Sequence, residues 1–156
     1  MKGFRLRMNN RTILAGLSEL IGMPERLTDL TIAIDKLDKI GLDGVRRELA
    51  ARGFTAEAVS VTETFLAVSG SGAEKLTRLE SLLGASETAR TGIAELREVL
   101  EAPAAGWSET PAVDQTLARG LNYYTGIIIE AGAPPSVKMG SIGGGGRYDN
   151  LTGLFG

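Results

Sequence analysis

The sequence predicts an α+β chain, and three observations carry that prediction. Residues 4–8 alternate apolar and basic side chains, the two-residue period of a strand with one buried face. Residues 27–105 repeat leucine, isoleucine and alanine at three- and four-residue steps, the period of amphipathic helices. After Trp107 this spacing gives way to short alternating and β-branched runs broken by glycine and proline. The chain therefore divides into 1–26, which is net basic, 27–105, which is net acidic and helical, and 106–156, which carries all three tyrosines.

Taken in order, Phe4-Arg5-Leu6-Arg7-Met8 reads as a strand. Asn10 can then cap a helix with the stripe Ile13, Leu14, Leu17, Leu20 and Ile21, stopped by Gly22 and Pro24. Leu30, Ala33, Ile34, Leu37 and Ile40 predict a helix over 29–40, and Leu42, Val45 and Leu49 predict another, closed by Gly53. Residues 55–68 stay open between helix and strand, because Val59, Val61, Thr62 and Thr64 are β-branched. Ser71-Gly72-Ala73-Glu74 fits a capping box ahead of Leu76, Leu79 and Leu83, with Gly84 at the end. Ile93, Leu96 and Leu100 form the last stripe. These helices are expected to enclose a small core of their own. Val113, Gln115 and Leu117 then alternate as a strand, Ile127–Ile129 is a short buried run, and Gly132 with Pro134-Pro135 reads as a hairpin connection.

Composition removes whole classes of function. The chain has 156 residues, a net charge of -2, and neither histidine nor cysteine. Ser-His and Cys-His nucleophile pairs, imidazole bases, disulfides and histidine or thiolate metal sites are therefore excluded, and no metal site is expected. Near-neutral charge argues against bulk electrostatic attraction to nucleic acid, and DNA is not an expected partner. The Ile127–Ile129 run falls far short of the ~20 residues of a membrane span. A cytoplasmic chain without membrane contact is expected.

Two stretches carry chemistry: Arg119-Gly120-Leu121-Asn122-Tyr123-Tyr124-Thr125-Gly126 and Gly143-Gly144-Gly145-Gly146-Arg147-Tyr148-Asp149-Asn150-Leu151. Neither fits a phosphate loop or a dinucleotide fingerprint. An isolated glycine run reads as a flexible turn or bulge, yet it also offers main chain with no Cβ for a ligand to approach. Arg119 is a permanent cation with a planar fork of donors, suited to a carboxylate or phosphate. A tyrosine hydroxyl gives one directed hydrogen bond. In extended chain Tyr123 and Tyr124 would point to opposite faces, so at most one ring should face a given pocket.

Together these motifs resemble those of the histidyl-tRNA synthetase family, class II aminoacyl-tRNA synthetases. The first resembles Arg-Gly-Leu-Asp-Tyr-Tyr, with Asn122 in place of the common Asp. The second resembles Ala-Gly-Gly-Arg-Tyr-Asp-x-Leu, with Gly144 in place of Ala. Phe4–Arg11 is similar to the family's segment after class II motif 2, and 27–105 falls where its insertion domain lies. The resemblance implies that 1–26 and 106–156 are pieces of the class II antiparallel sheet flanking a helical insertion. It implies that Arg119 is catalytic, between the histidine carboxylate and the α-phosphate of ATP. It further implies that Tyr124 hydrogen-bonds the substrate imidazole beside Tyr123, and that Gly145, Gly146 and Tyr148 wall the pocket. Magnesium-bound ATP, histidine and tRNA(His) are the implied partners, and a homodimer the implied assembly. Lys36, Lys39, Arg46, Arg47 and Arg52 are candidate tRNA contacts, although a solvated helix face reads equally well in a net-acidic segment.

Class II motifs 1, 2 and 3 and an anticodon-binding domain are not found in the sequence. The expectation is therefore a fragment of a larger enzyme that holds no cofactor tightly and neither activates histidine nor charges tRNA alone. Two alternatives stand beside it: a synthetase-like paralogue without charging activity, such as the regulatory subunit of histidine biosynthesis, and a helical interaction module.

Overall fold

In the computed structural model, residues 4–102, 110–118, 123–134 and 136–154 are described. The chain opens with strand β1 (Arg5–Asn10), and its last residue doubles as the cap of α1 (Arg11–Leu20). Asn10 stays extended and its side-chain oxygen accepts the Thr12 amide at 3.0 Å, satisfying one of the free donors of the first turn. Gly22, in the left-handed region at φ 72°, takes the chain away into a 3₁₀ turn at Pro24–Arg26.

The helical segment holds α2 (Leu27–Asp35), α3 (Leu37–Ala51), α4 (Ala56–Leu66), α5 (Gly72–Leu83) and α6 (Glu87–Glu101). The single helix expected over 29–40 is broken. α2 ends at Asp35, and α3 is kinked at Gly41, whose φ of 68° and ψ of 178° lie outside helical space. The apolar stripe runs on through both breaks, so periodicity alone hid them. The open segment 55–68 is helical. Thr55 caps it through the Ala58 amide, and Thr62 turns its hydroxyl back onto the Ala58 carbonyl, leaving its methyl to the interior. The Ser71–Glu74 capping box closes in both directions.

Four strands make a mixed sheet in the order β2-β1-β3-β4, with β2 at Ala112–Val113, β3 at Ile127–Gly132 and β4 at Ser141–Gly146. The β1–β3 and β3–β4 pairs are antiparallel. β2 joins β1 in parallel, as a crossover through the helical segment allows. The strand expected over 113–117 stops at Val113. Asp114 accepts the Thr116 amide at 3.0 Å and its hydroxyl at 2.6 Å, an Asx turn that happens to bury every second side chain. The glycine run, which alone would suggest a turn, is strand.

No separate core forms for 27–105. Met8, Ile13 and Leu17 from the start of the chain, Leu30, Leu49, Phe65, Leu79 and Leu96 from the helices, and Val113 and Ala118 beyond them belong to one buried cluster. The physical reason is the seam between α1 and α6. A Cβ on Gly16 would stand 2.3 Å from that of Ala89, and one on Gly92 would stand 2.1 Å from the Thr12 hydroxyl. Two glycines let these helix backbones approach too closely for solvent to separate flank from helical segment.

Candidate functional site

The two glycine- and tyrosine-bearing motifs meet at the end of the sheet. The Thr125 amide donates to the Arg147 carbonyl at 2.9 Å, and the Arg147 amide donates to the Ile127 carbonyl at 2.8 Å. One turn further on, the Asp149 amide donates to the Thr125 hydroxyl at 3.2 Å. Pairing of β3 with β4 sets Gly145 opposite Ile129 and Gly146 opposite Ile128.

This pairing gathers all three tyrosines. The Tyr123 and Tyr124 rings lie 4.8 Å apart edge to face, and Tyr123 stacks on Tyr148 at 4.9 Å. The reading that neighbouring tyrosines would diverge is corrected here. Tyr123 lies in a turn, not in extended chain, so both rings reach one cluster. Partial desolvation, followed by a side-chain hydrogen bond with Tyr124, raises the Tyr123 phenol above its ordinary value.

Each glycine of the pair has its own surroundings. A Cβ on Gly146 would fall 2.6 Å from Cδ1 of Tyr124, so the missing side chain is the seat of that ring. A Cβ on Gly145 would meet nothing within 4 Å. Successive strand positions face opposite sides, and the Gly145 side opens on an apolar groove of ≈ 440 Å³ floored by Leu6, Ile127, Ile129 and Ala131.

A second hollow of ≈ 350 Å³ lies between the α2–α3 junction and the sheet, lined by Arg7, Asp35, Asp38, Lys39 and Glu130 among others. Arg7 donates to Asp114 at 3.0 Å and pairs with Glu130, tying β1 to β3 and to the turn that follows β2. Burial alone would lower the Arg7 guanidinium. The hydrogen bond to Glu130 and the charge of Asp114 more than offset it, so the group is held above its ordinary value. Asn9 donates to the Gln115 and Leu117 carbonyls at 3.2 and 3.0 Å. Gln115 donates to the Val68 carbonyl at 2.6 Å, just beyond the end of α4. Residues 114–117 are thus held from both the sheet and the helices. Sequence reasoning missed Arg7, Asn9, Asp114, Gln115 and Glu130. One signal was present for Glu130, which shares the two-residue step of buried Ile128.

Arg119 and Asn122 lie outside the described residues, as do Trp107 and Pro135. Of the five candidate tRNA contacts, three are engaged in ion pairs. Lys36 binds Glu48 at 2.8 Å, Arg46 binds Glu63 at 2.7 Å through Nε, and Arg52 binds Asp29 at 2.6 Å and Glu48 at 2.8 Å. Lys39 and Arg47 are exposed and form no ion pair among the described residues. Among the described residues no three His, Cys, Asp or Glu side chains gather to hold a metal ion, and no helix is long and apolar enough to cross a membrane.

Over residues 1–156 the chain matches the profile of a family of aminoacyl-tRNA synthetases, described as Histidyl-tRNA synthetase. It is 47% identical to the histidine–tRNA ligase of Christiangramia forsetii over 100% of this chain, which spans 35% of that protein's length. It also superimposes on the crystal structure of histidyl-tRNA synthetase from Nostoc sp. PCC 7120 with a TM-score of 0.84 and 32% identity, covering 98% of this chain and 37% of that one. A Bacillus halodurans structure titled as an ATP phosphoribosyltransferase regulatory subunit/histidyl-tRNA synthetase shares the fold, with a TM-score of 0.76 at 23% identity over 97% of this chain and 39% of that one. The chain belongs to the histidyl-tRNA synthetase family.

Proposed function

We propose that this chain supplies the histidine-recognising part of a histidine–tRNA ligase, an enzyme that activates histidine with magnesium-bound ATP and transfers it to tRNA(His). The observation that carries the reading is the tyrosine cluster seated on Gly146, built from two motifs that meet through the Arg147 main chain. A tyrosine hydroxyl beside bare main chain can direct one hydrogen bond to an imidazole, and Tyr124 takes that role with Tyr123 beside it. Gly146 and Tyr148 form the wall on the side of the tyrosine cluster, and Gly145 contributes its bare main chain from the same strand, its open side turned to the apolar groove. Arg119 bridges the histidine carboxylate and the α-phosphate of ATP, so catalysis works by positioning and charge stabilisation with no protein nucleophile. The helical segment 27–105 faces the acceptor end of tRNA, with Lys39 and Arg47 as its first contacts, since Lys36, Arg46 and Arg52 are occupied by carboxylates. The enzyme is a cytoplasmic homodimer, and this chain alone does not complete the reaction.

Thermal unfolding with and without a hydrolysis-resistant histidyl-adenylate analogue tests the reading. A ligand that binds only the folded chain raises Tm, with a stabilisation that grows as the logarithm of its concentration over Kd. The expected result is a rise with the histidyl compound, none with the alanyl compound, and loss of the rise in Tyr124→Phe. Equal shifts with both compounds, or no shift with either, overturn the assignment of the pocket to this chain. Pyrophosphate exchange by the chain alone is expected to be absent, and its presence would refute the incomplete-enzyme reading.

A further inference from the structure

The second motif is held by a carboxylate that no motif contains. Glu95 lies on α6, in the helical segment, and its two oxygens have different partners. Oε2 accepts from Nδ2 of Asn10 at 2.6 Å, and Oε1 accepts from Nη1 of Arg147 at 3.1 Å. Asn10 is itself held from its other side: its side-chain oxygen caps α1 and takes the Thr12 hydroxyl at 2.8 Å. Arg147 divides its fork, giving Nε to Asp149 at 2.7 Å and Nη1 to Glu95. The main chain of that same arginine carries the ladder that joins the motifs.

α6 is a rigid mount for such a contact. Gly92, one turn before Glu95, leaves no room for a Cβ between α6 and Thr12, so the α6 backbone is packed directly on α1 at this point. The carboxylate is therefore presented at a fixed place.

We infer that Glu95 is a positioning residue: through Arg147 it fixes how the second motif lies against the first, and so sets the tyrosine cluster. The functional consequence rests on the histidine-pocket reading above, but the contact can be tested without any ligand. Replacing Glu95 by glutamine removes the negative charge that faces Arg147 and leaves one oxygen for two donors, so the ion pair is lost in either orientation of the amide.

The experiment is amide hydrogen exchange by NMR on the whole chain, comparing wild type, Glu95→Gln and Glu98→Gln, the last being an exposed carboxylate on the same helix. The amides of Thr125, Arg147 and Asp149 should exchange about two- to fivefold faster in Glu95→Gln, the range expected for loss of a half-exposed ion pair felt as local opening. Those of α1 and α6 should keep their rates, and Glu98→Gln should change none. In an Arg147→Met background, Glu95→Gln should add nothing further, because a thioether offers the carboxylate neither charge nor donor and the link is already cut. Unchanged exchange at the three amides overturns the inference. Uniform acceleration across α1 and α6 overturns it as well, since Glu95 would then be an ordinary packing residue. Histidine titration forms a separate arm: weaker binding in Glu95→Gln supports the pocket consequence. A wild-type chain that binds no histidine counts against the pocket reading while exchange still decides the positioning role.

Discussion

Replacing Gly146 with alanine probes the contact on which the candidate site is built. The new methyl would stand 2.6 Å from Cδ1 and 2.9 Å from Cε1 of Tyr124, and 2.9 Å from the Ile127 carbonyl oxygen. The carbonyl accepts the Arg147 amide in the β3–β4 ladder and cannot retreat without losing that bond at 2.8 Å. The ring must therefore swing out, breaking its edge-to-face contact with Tyr123. Overpacking of this kind costs about 1–3 kcal/mol. For a chain of this size each kcal/mol lowers Tm by about 2–4 °C, so Gly146→Ala should melt about 2–12 °C below wild type. Gly145→Ala is the matched comparison. Its methyl enters open space, and the backbone there is not in the left-handed region. Alanine reduces the freedom of the unfolded chain and should stabilise by about 0.4–1 kcal/mol. Thermal melts followed by circular dichroism decide between them. If Gly146→Ala melts within about 1 °C of wild type, Tyr124 does not rest on Gly146 and the tyrosine cluster cannot be the framework of the site.

Four further outcomes are expected. Gly92→Ala should lower Tm by at least as much as Gly146→Ala, because Thr12 and Ile13 both block the methyl at the α1–α6 seam; an unaffected melt would mean the seam is loose. Ser71→Ala should cost about 1 kcal/mol in denaturant unfolding through loss of the capping box, with an unchanged m-value. Hydrogen bonds from Ser86, then Thr88, hold the Glu19 carboxyl below its ordinary value of 4.5. A depressed folded value gives stability that is present above 4.5 and lost as pH falls through the folded value. Glu19→Gln should therefore flatten the acid limb of a stability–pH curve, and an unaltered limb would refute the contact. Lys39→Glu with Arg47→Glu should weaken acceptor-stem RNA binding and reduce its salt slope with little change in Tm, whereas Arg52→Glu should cost stability directly, since Asp29 and Glu48 would be left facing a like charge.

The membership of the family was legible in the sequence because it rests on contiguous motifs, and the α+β class because each period is local. The Asn10 cap, the Ser71–Glu74 box and the glycine stops at Gly22, Gly53 and Gly84 were read from neighbours within one turn, and side-chain hydrogen bonds over three residues need nothing from the rest of the chain. The breaks at Lys36 and Gly41 escaped because the apolar spacing in the sequence continues across them, although the kink leaves Ile40 and Leu42 exposed. Gln115 sat in a convincing alternation whose cause was an Asx turn.

What the sequence determined by itself was therefore the inventory: which short segments favour which local shape, and which family's motifs they carry. What only the tertiary structure decided was company. It brought Glu95 from a helix to the second motif, set Gly146 beneath Tyr124, and merged the helices with the flanks into one core. Those choices depend on contacts between residues far apart in the chain. Their register is fixed by steric fit at glycines and by the pairing of buried polar groups, and neither leaves a periodic trace in the order of the amino acids.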